Sequence, residues 1–435
     1  MIQTDPAMAA APATVPADRL GGRVRLLLAS LYTTQTLALM FFVAALIAIL
    51  ADGGADADRL TLVYMLGLVW PLKLLWAPVI DRWRLGRAGH YRGWAMVSQA
   101  GMVAVLVVMA GFDPLADFPV VYGLCLALAL LSATQDVAVD GLACRLLPPG
   151  ARGPGNALQI SGGLLGTMLG AGGVLVLYPY LGWVGAMALL AGVTAISLIQ
   201  LALFREPDAA LAVAARTSLR ARLARLSRAD ARGRALGWGV LLLIWPVGAG
   251  MAYALIMPAL VAAGWPLDRI GLVVNLAGPV AGIAGALLAG RLAMRMGRRR
   301  ALIMAATVQL AGIAAVALPV LGTAPAGAAA VAVCLYFLLY NPGATVMAMV
   351  MMDRASAARP ATDYSVQSTL HAAMGMGSIS AGAAIAAAAG PMAALWVAIA
   401  AGLLALLGSL VLYRQGGEAD PVADPVADPP VGRWR

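Results

Sequence analysis

Charged side chains are scarce in this sequence: only 11% of its 435 residues are Asp, Glu, Lys or Arg, against about 25% in soluble domains. Cysteine and histidine are rare too, with three and two copies. The spacing of Cys125, Cys144 and Cys334 gives neither a disulfide framework nor a metal-ligand pattern. The composition therefore excludes a soluble globular enzyme with a large core, a disulfide scaffold and a cysteine-based metal site.

Long apolar runs take the place of the missing charge, and 62% of the residues are hydrophobic. A helix needs roughly 20 such residues to cross a hydrocarbon core of about 30 Å. Twelve runs are long enough, which predicts an all-α integral membrane protein with twelve transmembrane helices. Short breaks at 178–179 and 390–391 leave eleven or thirteen spans as alternatives. The predicted spans are 24–50, 60–80, 93–112, 119–147, 156–178, 180–204, 237–262, 268–291, 301–321, 326–350, 363–389 and 391–413.

Basic residues determine the predicted orientation of these spans. With the N-terminus in the cytoplasm, 27 of the 30 Lys and Arg residues fall in cytoplasmic segments, as the positive-inside rule requires. The outer loops hold Arg59 and Arg269, and Lys73 lies inside the second span. Both termini are therefore expected in the cytoplasm. Topology also explains the net charge of +10, so no nucleic-acid partner is expected.

The longest inner loop, 205–236, carries eight Arg residues and divides the spans into two sets of six. We therefore expect two pseudo-symmetric six-helix halves, 24–204 and 237–413, joined by a basic cytoplasmic linker. Segments 1–23 and 414–435 flank the halves. The tail repeats Ala-Asp-Pro-Val, a low-complexity pattern typical of disorder, and both flanking segments are expected to be disordered in the cytoplasm.

Two carboxylates interrupt the fourth apolar run. Asp136 and Asp140 are one helical turn apart and share a helix face. An ionisable group at that depth costs at least about 2.5 kcal/mol, so both must face protein or water. Lys73 lies at the same depth in the second span, which predicts a charge cluster. A carboxylate that alternates between Lys73 and an apolar pocket would couple proton entry to transport; a permanent ion pair is the alternative.

Other polar side chains inside the predicted spans are candidates for a substrate cavity. His371 is the single histidine within a span and shares a helix face with Gln367. It suits substrate binding or proton relay near neutral pH, and a hydrogen-bonded packing role is the alternative. The first span carries a polar stretch, 32–36, where a cavity-lining helix is expected. The predicted cavity residues are Tyr32, Gln35, Gln135, Asn156, Gln159, Asn275, Tyr340, Asn341, Gln367 and His371.

Two inner loops, after span two and after span eight, resemble the G-x-x-x-D-R-x-G-R-R signature of the major facilitator superfamily. Each copy is imperfect, because Ala77 replaces the glycine in the first and Met294 replaces the acid in the second. Such a loop pairs an acid with arginines across helix ends, as a lock that forms and breaks between states. The residues assigned to this predicted cytoplasmic gate are Asp81, Arg82, Arg87, Gly290, Arg295, Gly297 and Arg298.

Small residues recur at every fourth position in two spans. They are Gly162, Gly166 and Gly170 in span five, and a matching stripe runs from Gly278 to Gly290 in span eight. Such stripes let helix backbones approach closely. The resemblance to the superfamily implies that these two helices pack against each other across the boundary between the halves.

Two stretches make the resemblance more specific. Residues 71–82 and the string Ser-Ala-Thr-Gln-Asp-Val-Ala-Val-Asp-Gly at 132–141 are similar to the muropeptide permease-like and acetyl-CoA transporter family of the superfamily. Stretches 152–159 and 362–368 resemble the branch of siderophore permeases of the rhizobactin and pyochelin type. The resemblance implies a proton-coupled, alternating-access importer of a siderophore or its iron complex, with a cavity near the membrane midplane. Leu164-Leu165 departs from the polar residues expected there, which leaves the ligand open.

Uptake of a cell-wall muropeptide is the second hypothesis, and a non-transporting membrane sensor is the third. An enzyme is not expected. The stretch 140–145 is similar to the core motif of CDP-alcohol phosphotransferases, but Gln159 and Gly163 stand near the places of two further metal-binding aspartates. No cofactor and no metal are expected. The expected partners are a small-molecule substrate, protons and the lipids of a bacterial inner membrane, and a monomer is expected.

Overall fold

The computed structural model describes residues 21–87, 89–207, 229–322 and 325–413, and each regular element among them is a helix. Apolar sequence inside lipid favours helices because every backbone hydrogen bond is then satisfied within the segment. Ten helices in this part of the chain are long and apolar enough to cross a membrane. The predicted disorder of the tail and of most of the N-terminal segment, together with most of the linker, lies outside the described residues.

The helical elements follow the predicted spans to within a few residues at most ends. They are α1 (Gly22–Asp52), α2 (57–82), α3 (Tyr91–Met109), α4 (Phe118–Leu146), α5 (152–181), α6 (183–203), α7 (Ala229–Ile244 with Val247–Ala262), α8 (Leu267–Met296), α9 (Arg298–Leu321), α10 (Ala326–Asp353), α11 (Pro360–Ala389) and α12 (Pro391–Val411).

The predicted span 60–80 is not one continuous α-helix. Element α2 consists of short α-helical pieces separated by 3-10 turns at Leu66–Leu68 and Lys73–Leu75. Proline explains the interruptions, because it has no N–H to donate and its ring clashes with the carbonyl four residues earlier. Pro71 and Pro78 lie on either side of Lys73, so the lysine is carried by an irregular part of the helix. Element α2 is not among the ten helices that are long and apolar enough to cross a membrane.

The predicted break between spans five and six is misplaced by a few residues. The sequence favoured 178–179, but Pro179 lies inside a helix and the backbone turns at Gly182, with φ 61° and ψ −166°. A left-handed φ of this kind is accessible to glycine at little cost. The run Pro149–Leu203 therefore counts as one long apolar helix with a kink, and the number twelve stays a prediction.

Helices from the two predicted halves meet along α5–α8, α4–α11 and α5–α10. Within each half the most extensive contacts are α1–α5 and α3–α4 on one side, and α8–α10, α9–α10 and α7–α11 on the other. One buried apolar cluster contains residues from both halves, among them Val137 and Met351. The interior is therefore continuous across the predicted boundary.

The partner of the α5 glycine stripe differs from the prediction. A Cβ on Gly162, Gly166 or Gly170 would meet α1, at distances of 2.8 Å, 2.4 Å and 2.3 Å from the nearest atoms of Tyr32, Thr33 and Leu37. These glycines therefore bring α5 close to α1 within one half.

The predicted contact between α5 and α8 is present, and Gly290 of the α8 stripe takes part in it, but on α5 it meets residues outside the predicted stripe. A Cβ on Gly290 would lie 2.7 Å from the Gly153 carbonyl oxygen and 2.6 Å from the Ala157 Cβ. A Cβ on Gly278 would meet Phe337 of α10, and a Cβ on Gly282 would meet both Asn341 of α10 and Leu164 of α5.

Candidate functional site

The predicted charge cluster contains a buried ion pair. The Lys73 ammonium contacts the Asp136 carboxylate, and the two side chains are 8% and 2% exposed. Lys73 comes from the irregular stretch of α2, and Asp136 comes from the middle of α4. Lys73 is also the only lysine of the whole chain, a compositional signal that points to this position independently of the apolar pattern. The second oxygen of Asp136, Oδ1, is buried without a hydrogen-bond partner among the described residues.

Asp140 lies one turn further along α4 and has neutral partners. Its Oδ1 accepts hydrogen bonds from the Tyr32 hydroxyl at 3.4 Å and from Gln159 Nε2 at 3.2 Å. Tyr32 comes from α1 and Gln159 from α5, and both were predicted cavity residues. Asp140 itself is 1% exposed. The two carboxylates thus share a helix face but have different surroundings.

A further residue joins this group from the other predicted half. The Tyr364 hydroxyl of α11 donates to Gln159 Oε1 at 2.9 Å. A chain of hydrogen bonds therefore runs from Asp140 through Gln159 to Tyr364, and it crosses from α4 and α5 to α11. Sequence reasoning did not select Tyr364, although it lies three residues before the predicted Gln367 and is almost fully buried.

The polar stretch of α1 forms a second network beside the charge cluster. Gln135 Nε2 donates to the Thr34 hydroxyl at 2.9 Å and to the Leu31 carbonyl at 3.2 Å. Gln99 of α3 also donates to Thr34, at 3.1 Å. Gln35 accepts a bond from Ser132 through its backbone carbonyl, while its side-chain Oε1 is buried without a partner among the described residues. These bonds join α1, α3 and α4.

The structure does not bring Gln367 and His371 to the charge cluster through any hydrogen bond. Gln367 accepts from Trp238 Nε1 at 2.8 Å and donates to the carbonyls of Met351 and Asp363. His371 Nδ1 lies 3.0 Å from the Leu242 carbonyl oxygen. Both side chains therefore connect α11 to α7 or α10, an arrangement that fits the packing alternative.

The remaining predicted cavity residues are dispersed. Asn156 Nδ2 bonds to the Arg152 carbonyl at 2.7 Å, and its Oδ1 is buried without a partner among the described residues. Asn341 Nδ2 bonds back to the Phe337 carbonyl at 2.7 Å. Tyr340 stacks on Tyr336, with ring centroids 5.8 Å apart. Asn275 is exposed.

The loops between α2 and α3, α4 and α5, α8 and α9, and α10 and α11 lie together, and this side of the molecule is called the basic face below. Asp81, at the end of α2, accepts from the backbone N–H groups of Ala361 and Thr362 at 3.1 Å and 2.7 Å. These are first-turn N–H groups of α11, whose own N-cap residue provides no side-chain bond. The Tyr91 hydroxyl also donates to Asp81, at 2.5 Å. Asp81 therefore caps a helix of the other half.

In the second copy of the loop signature, which follows α8, the carboxylate that pairs with the arginines comes from a different helix. Met294 occupies the acidic position of the motif, and Asp353 at the end of α10 accepts from Arg298 Nε at 2.5 Å and from Arg152 Nη1 at 2.8 Å. Arg298 also bonds to the Pro149 carbonyl at 3.0 Å. Arginines from both halves thus share one carboxylate, which sequence reasoning missed because Asp353 lies 55 residues from Arg298.

Other predicted gate residues have different surroundings. Arg82 and Arg87 are exposed and form no ion pair within the described ranges. Gly297 makes the turn between α8 and α9 with φ 75°. Arg295 is exposed and lies near the α5–α8 contact.

His90 directly precedes α3 on the basic face. Its Nε2 lies 2.8 Å from the Ile80 carbonyl oxygen. Burial lowers the pKa of His90, and the Arg145 guanidinium lowers it further. The imidazole is therefore neutral near pH 7 and can donate this bond. Across the described residues, no group of three or more His, Cys, Asp or Glu side chains is arranged to hold a metal ion.

A helical bundle of membrane-spanning length that encloses an ion pair and a polar network is typical of a multi-pass membrane transporter. The family model of the Major Facilitator Superfamily matches residues 26–377. The chain belongs to the Major Facilitator Superfamily and is a membrane transporter of that kind. The predicted superfamily is thereby confirmed.

Two groups of curated bacterial proteins are similar in sequence. The anhydromuropeptide permease of Escherichia coli K12 is 30% identical over 258 residues, which cover 58% of this chain and 52% of that protein. A protein of Rickettsia felis described as putative transporter AmpG 4 is 24% identical over 269 residues, covering 60% of this chain and 65% of that protein. The chain thus spans about half the length of the first relative. The predicted similarity to muropeptide permeases is confirmed.

Solved structures show the same fold. The human organic anion transporter MFSD10 superposes with a TM-score of 0.65 at 17% identity, covering 91% of this chain and 100% of that one. The transporter FucP in its outward conformation gives a TM-score of 0.66 at 12% identity, covering 90% and 99%. At these identities the likeness concerns the fold alone.

Proposed function

We propose that this transporter moves a small polar solute by alternating access and couples that movement to protons. The observation that carries the proposal is the buried group formed by Lys73, Asp136 and Asp140. Charges at this depth are expensive and in membrane proteins commonly mark ion or proton pathways. The different partners of the two carboxylates support a division of roles, with Asp136 as the partner of Lys73 and Asp140 as the proton-binding group.

Protonation of Asp140 would change its hydrogen bonds. As a carboxylate it only accepts, and it accepts from Tyr32 and Gln159. As a carboxylic acid it gains an O–H donor, which competes with Tyr364 for the Gln159 oxygen. The bond between Gln159 and Tyr364 joins the two halves, so a proton on Asp140 would weaken a contact that holds them together. This step links proton binding to the conformational cycle.

The topology belongs to the same proposal. Twelve spans in two halves, 24–204 and 237–413, place both termini on the side of the basic loops. The positive-inside rule assigns that side to the cytoplasm of a bacterium, and the inner membrane is then the location. The cavity would lie between the halves near the midplane, in a monomer.

The relatives favour a muropeptide as the substrate over a siderophore. One curated relative is described as an anhydromuropeptide permease, whereas the siderophore hypothesis rests on the stretches 152–159 and 362–368 of this sequence alone. In the structure two residues of the stretch 362–368 bond to the other half: the Thr362 N–H donates to Asp81, and the Tyr364 hydroxyl donates to Gln159. These contacts give it a role in joining the halves, which weakens its value as a ligand signature.

A transport assay in proteoliposomes tests the proposal. Purified full-length protein is reconstituted, a proton gradient is imposed, and accumulation of labelled anhydromuropeptide and of a labelled ferric siderophore is measured with and without a protonophore. We expect accumulation of the muropeptide that collapses with the protonophore. Accumulation of the ferric siderophore alone would select the other substrate class, and equal muropeptide uptake with and without the gradient would refute proton coupling.

The Asp140→Asn variant tests the proton-binding role. The amide keeps the shape and the hydrogen-bonding capacity of the side chain but cannot exchange a proton at this site. We expect gradient-driven accumulation to fall to background while insertion and thermal stability stay close to those of the wild type. Asp58→Asn, an exposed acid near the start of α2, is the matched control and should transport normally. Normal accumulation by Asp140→Asn would remove Asp140 from the mechanism.

A further inference from the structure

A basic pocket lies at the basic-face ends of α1, α5 and α8. Its volume is about 490 Å³, within the range of small-ligand sites. It touches helices of both halves. The charged lining residues and the larger apolar ones are Arg25, Arg291, Arg295, Leu158, Leu287 and Met294.

The charged residues that line this pocket in the described part of the chain are arginines. There are three of them, and no carboxylate of a described residue lies in the lining. Arg291 and Arg295 form no ion pair within the described parts of the chain. They are four residues apart on α8 and therefore neighbours on one helix face, where like charges destabilise the helix. The nearby Arg152 and Arg298 differ, because both pair with Asp353. Within the described residues, Arg291 and Arg295 thus lack the negative partner that Arg152 and Arg298 have.

The arrangement of polar and apolar residues matches a phospholipid headgroup. Guanidinium groups bind phosphate through paired N–H donors. Leu287 precedes Arg291 by one helical turn on α8 and therefore lies about 6 Å deeper than Arg291, and Leu158 follows Pro154 by one turn on α5 and lies about 6 Å deeper than that proline. The close contact of Gly153 with Gly290 brings α5 and α8 together beside the pocket. A phosphate at the rim would therefore have glycerol and acyl carbons against the leucines.

We propose that this pocket binds a phosphate group, supplied by the headgroup of an anionic phospholipid. Because the lining comes from α1 and α5 on one side and from α8 on the other, a bound headgroup bridges the two halves. Its binding stabilises the arrangement in which the basic face is closed. This inference concerns lipid binding and does not depend on the transported substrate or on proton coupling.

Thermal unfolding of the purified full-length protein tests the site. The wild type in detergent is titrated separately with phosphatidylglycerol, with phosphatidylcholine and with inorganic phosphate. The pocket variant carries Arg291→Gln and Arg295→Gln together. The control variant carries Arg84→Gln and Arg300→Gln, which remove the same charge from exposed positions of the same face outside the pocket lining.

We expect phosphatidylglycerol to raise the Tm of the wild type and of the control variant more than phosphatidylcholine does. In the pocket variant the apparent Kd for phosphatidylglycerol should rise by about tenfold or more, because each Arg near an anionic headgroup contributes to the binding free energy. A pocket-dependent effect of inorganic phosphate, with no added effect of lipid, would confirm the phosphate site and assign it to a soluble ion. Equal responses of the pocket and control variants, or of the two lipids, would overturn the proposal.

Discussion

At the scale of single residues, the two carboxylates of α4 differ in their partners although they share a face. Asp136 contacts Lys73, and Asp140 contacts a tyrosine and a glutamine. A buried pair of opposite charges holds α2 to α4, and removing one member leaves an uncompensated charge. A carboxyl group with neutral partners is under no such constraint. The same helix face therefore carries one carboxylate paired with a cation and one with neutral partners that is suited to proton exchange.

Removing one or both charges of the buried pair separates a structural role from a transport role. Lys73→Met should lower the free energy of unfolding by about 3–5 kcal/mol, because Asp136 is left buried and unpaired. Lys73→Met combined with Asp136→Leu should regain most of that stability. We expect neither variant to accumulate substrate against a gradient. Full transport by the stable double variant, measured in proteoliposomes, would show that the pair is only structural.

The hydrogen bond between Tyr364 and Gln159 offers a second test at this scale. Tyr364→Phe removes one hydroxyl and leaves the ring in place, so the Gln159 oxygen loses its donor from α11. Loss of a buried bond of this kind costs about 1 kcal/mol. We expect a several-fold lower initial rate of proton-driven uptake with little change in Tm. Tyr180→Phe, at a position that is 83% exposed, is the control, and equal rates in the two variants would exclude Tyr364 from the coupling step.

At the scale of helices, glycine determines which pairs approach most closely. The stripe of α5 faces α1, and a contact between α5 and α8 is built from Gly153, Ala157 and Gly290. Proline has a different effect, because it interrupts a helix instead of bringing two helices together. In α2 it breaks the helix on both sides of Lys73. The site therefore depends on one tightly packed helix pair and on one interrupted helix.

Adding a methyl group to the α5 stripe tests this packing. A Cβ on Gly166 would lie 2.4 Å from the Thr33 carbonyl oxygen, so Gly166→Ala must push α5 away from α1. Overpacking of this type costs about 1–3 kcal/mol, and we expect a clearly lower Tm. Gly172→Ala is the matched control on the same helical run, since its Cβ would meet nothing within 4 Å and alanine favours a helix. A Tm loss of equal size in both variants would contradict the proposed contact.

At the scale of the whole molecule, the basic face is closed by contacts between the halves. Asp81 of α2 caps α11, and Asp353 of α10 pairs with Arg152 of α5. These contacts hold ends of helices rather than their middles, so they can break without unfolding a helix. Such a pattern is suited to a gate that opens and closes during transport.

Distance measurements on the basic face test this closure. In a background without native cysteines, spin labels are placed at Arg84→Cys and Ala357→Cys, two exposed positions in different halves. Adding Asp81→Ala and Asp353→Ala removes both contacts, each with an expected cost of about 1–3 kcal/mol. We expect the distance distribution from pulsed electron paramagnetic resonance to gain a longer component. Arg300→Gln should leave it unchanged, and an unaltered distribution in the double variant would show that these contacts do not hold the face closed.

The apolar spans and the buried acids could be predicted from the sequence because the cost of placing a residue in lipid depends on local composition. Most helix ends lie within a few residues of their predicted positions for this reason. Asp136, Asp140 and Lys73 are conspicuous for the same reason, since each interrupts an apolar run. The positions at which one helix gives way to the next were less predictable from the sequence, because Pro179 remains inside a helix whereas Gly182 ends one.

The partners of these residues were decided only by the tertiary structure. Asp353 completes the second loop although the motif lacks its acid, and the stripe glycines Gly162, Gly166 and Gly170 of α5 meet α1 instead of α8. The sequence left open which carboxylate of the cluster pairs with Lys73. The structure pairs Asp136 with it, and the hydrogen bonds of Asp140 lead through Gln159 to Tyr364. Helical periodicity fixes which residues share a face of one helix, but it carries no information on which helix that face meets. That choice depends on packing among segments up to hundreds of residues apart.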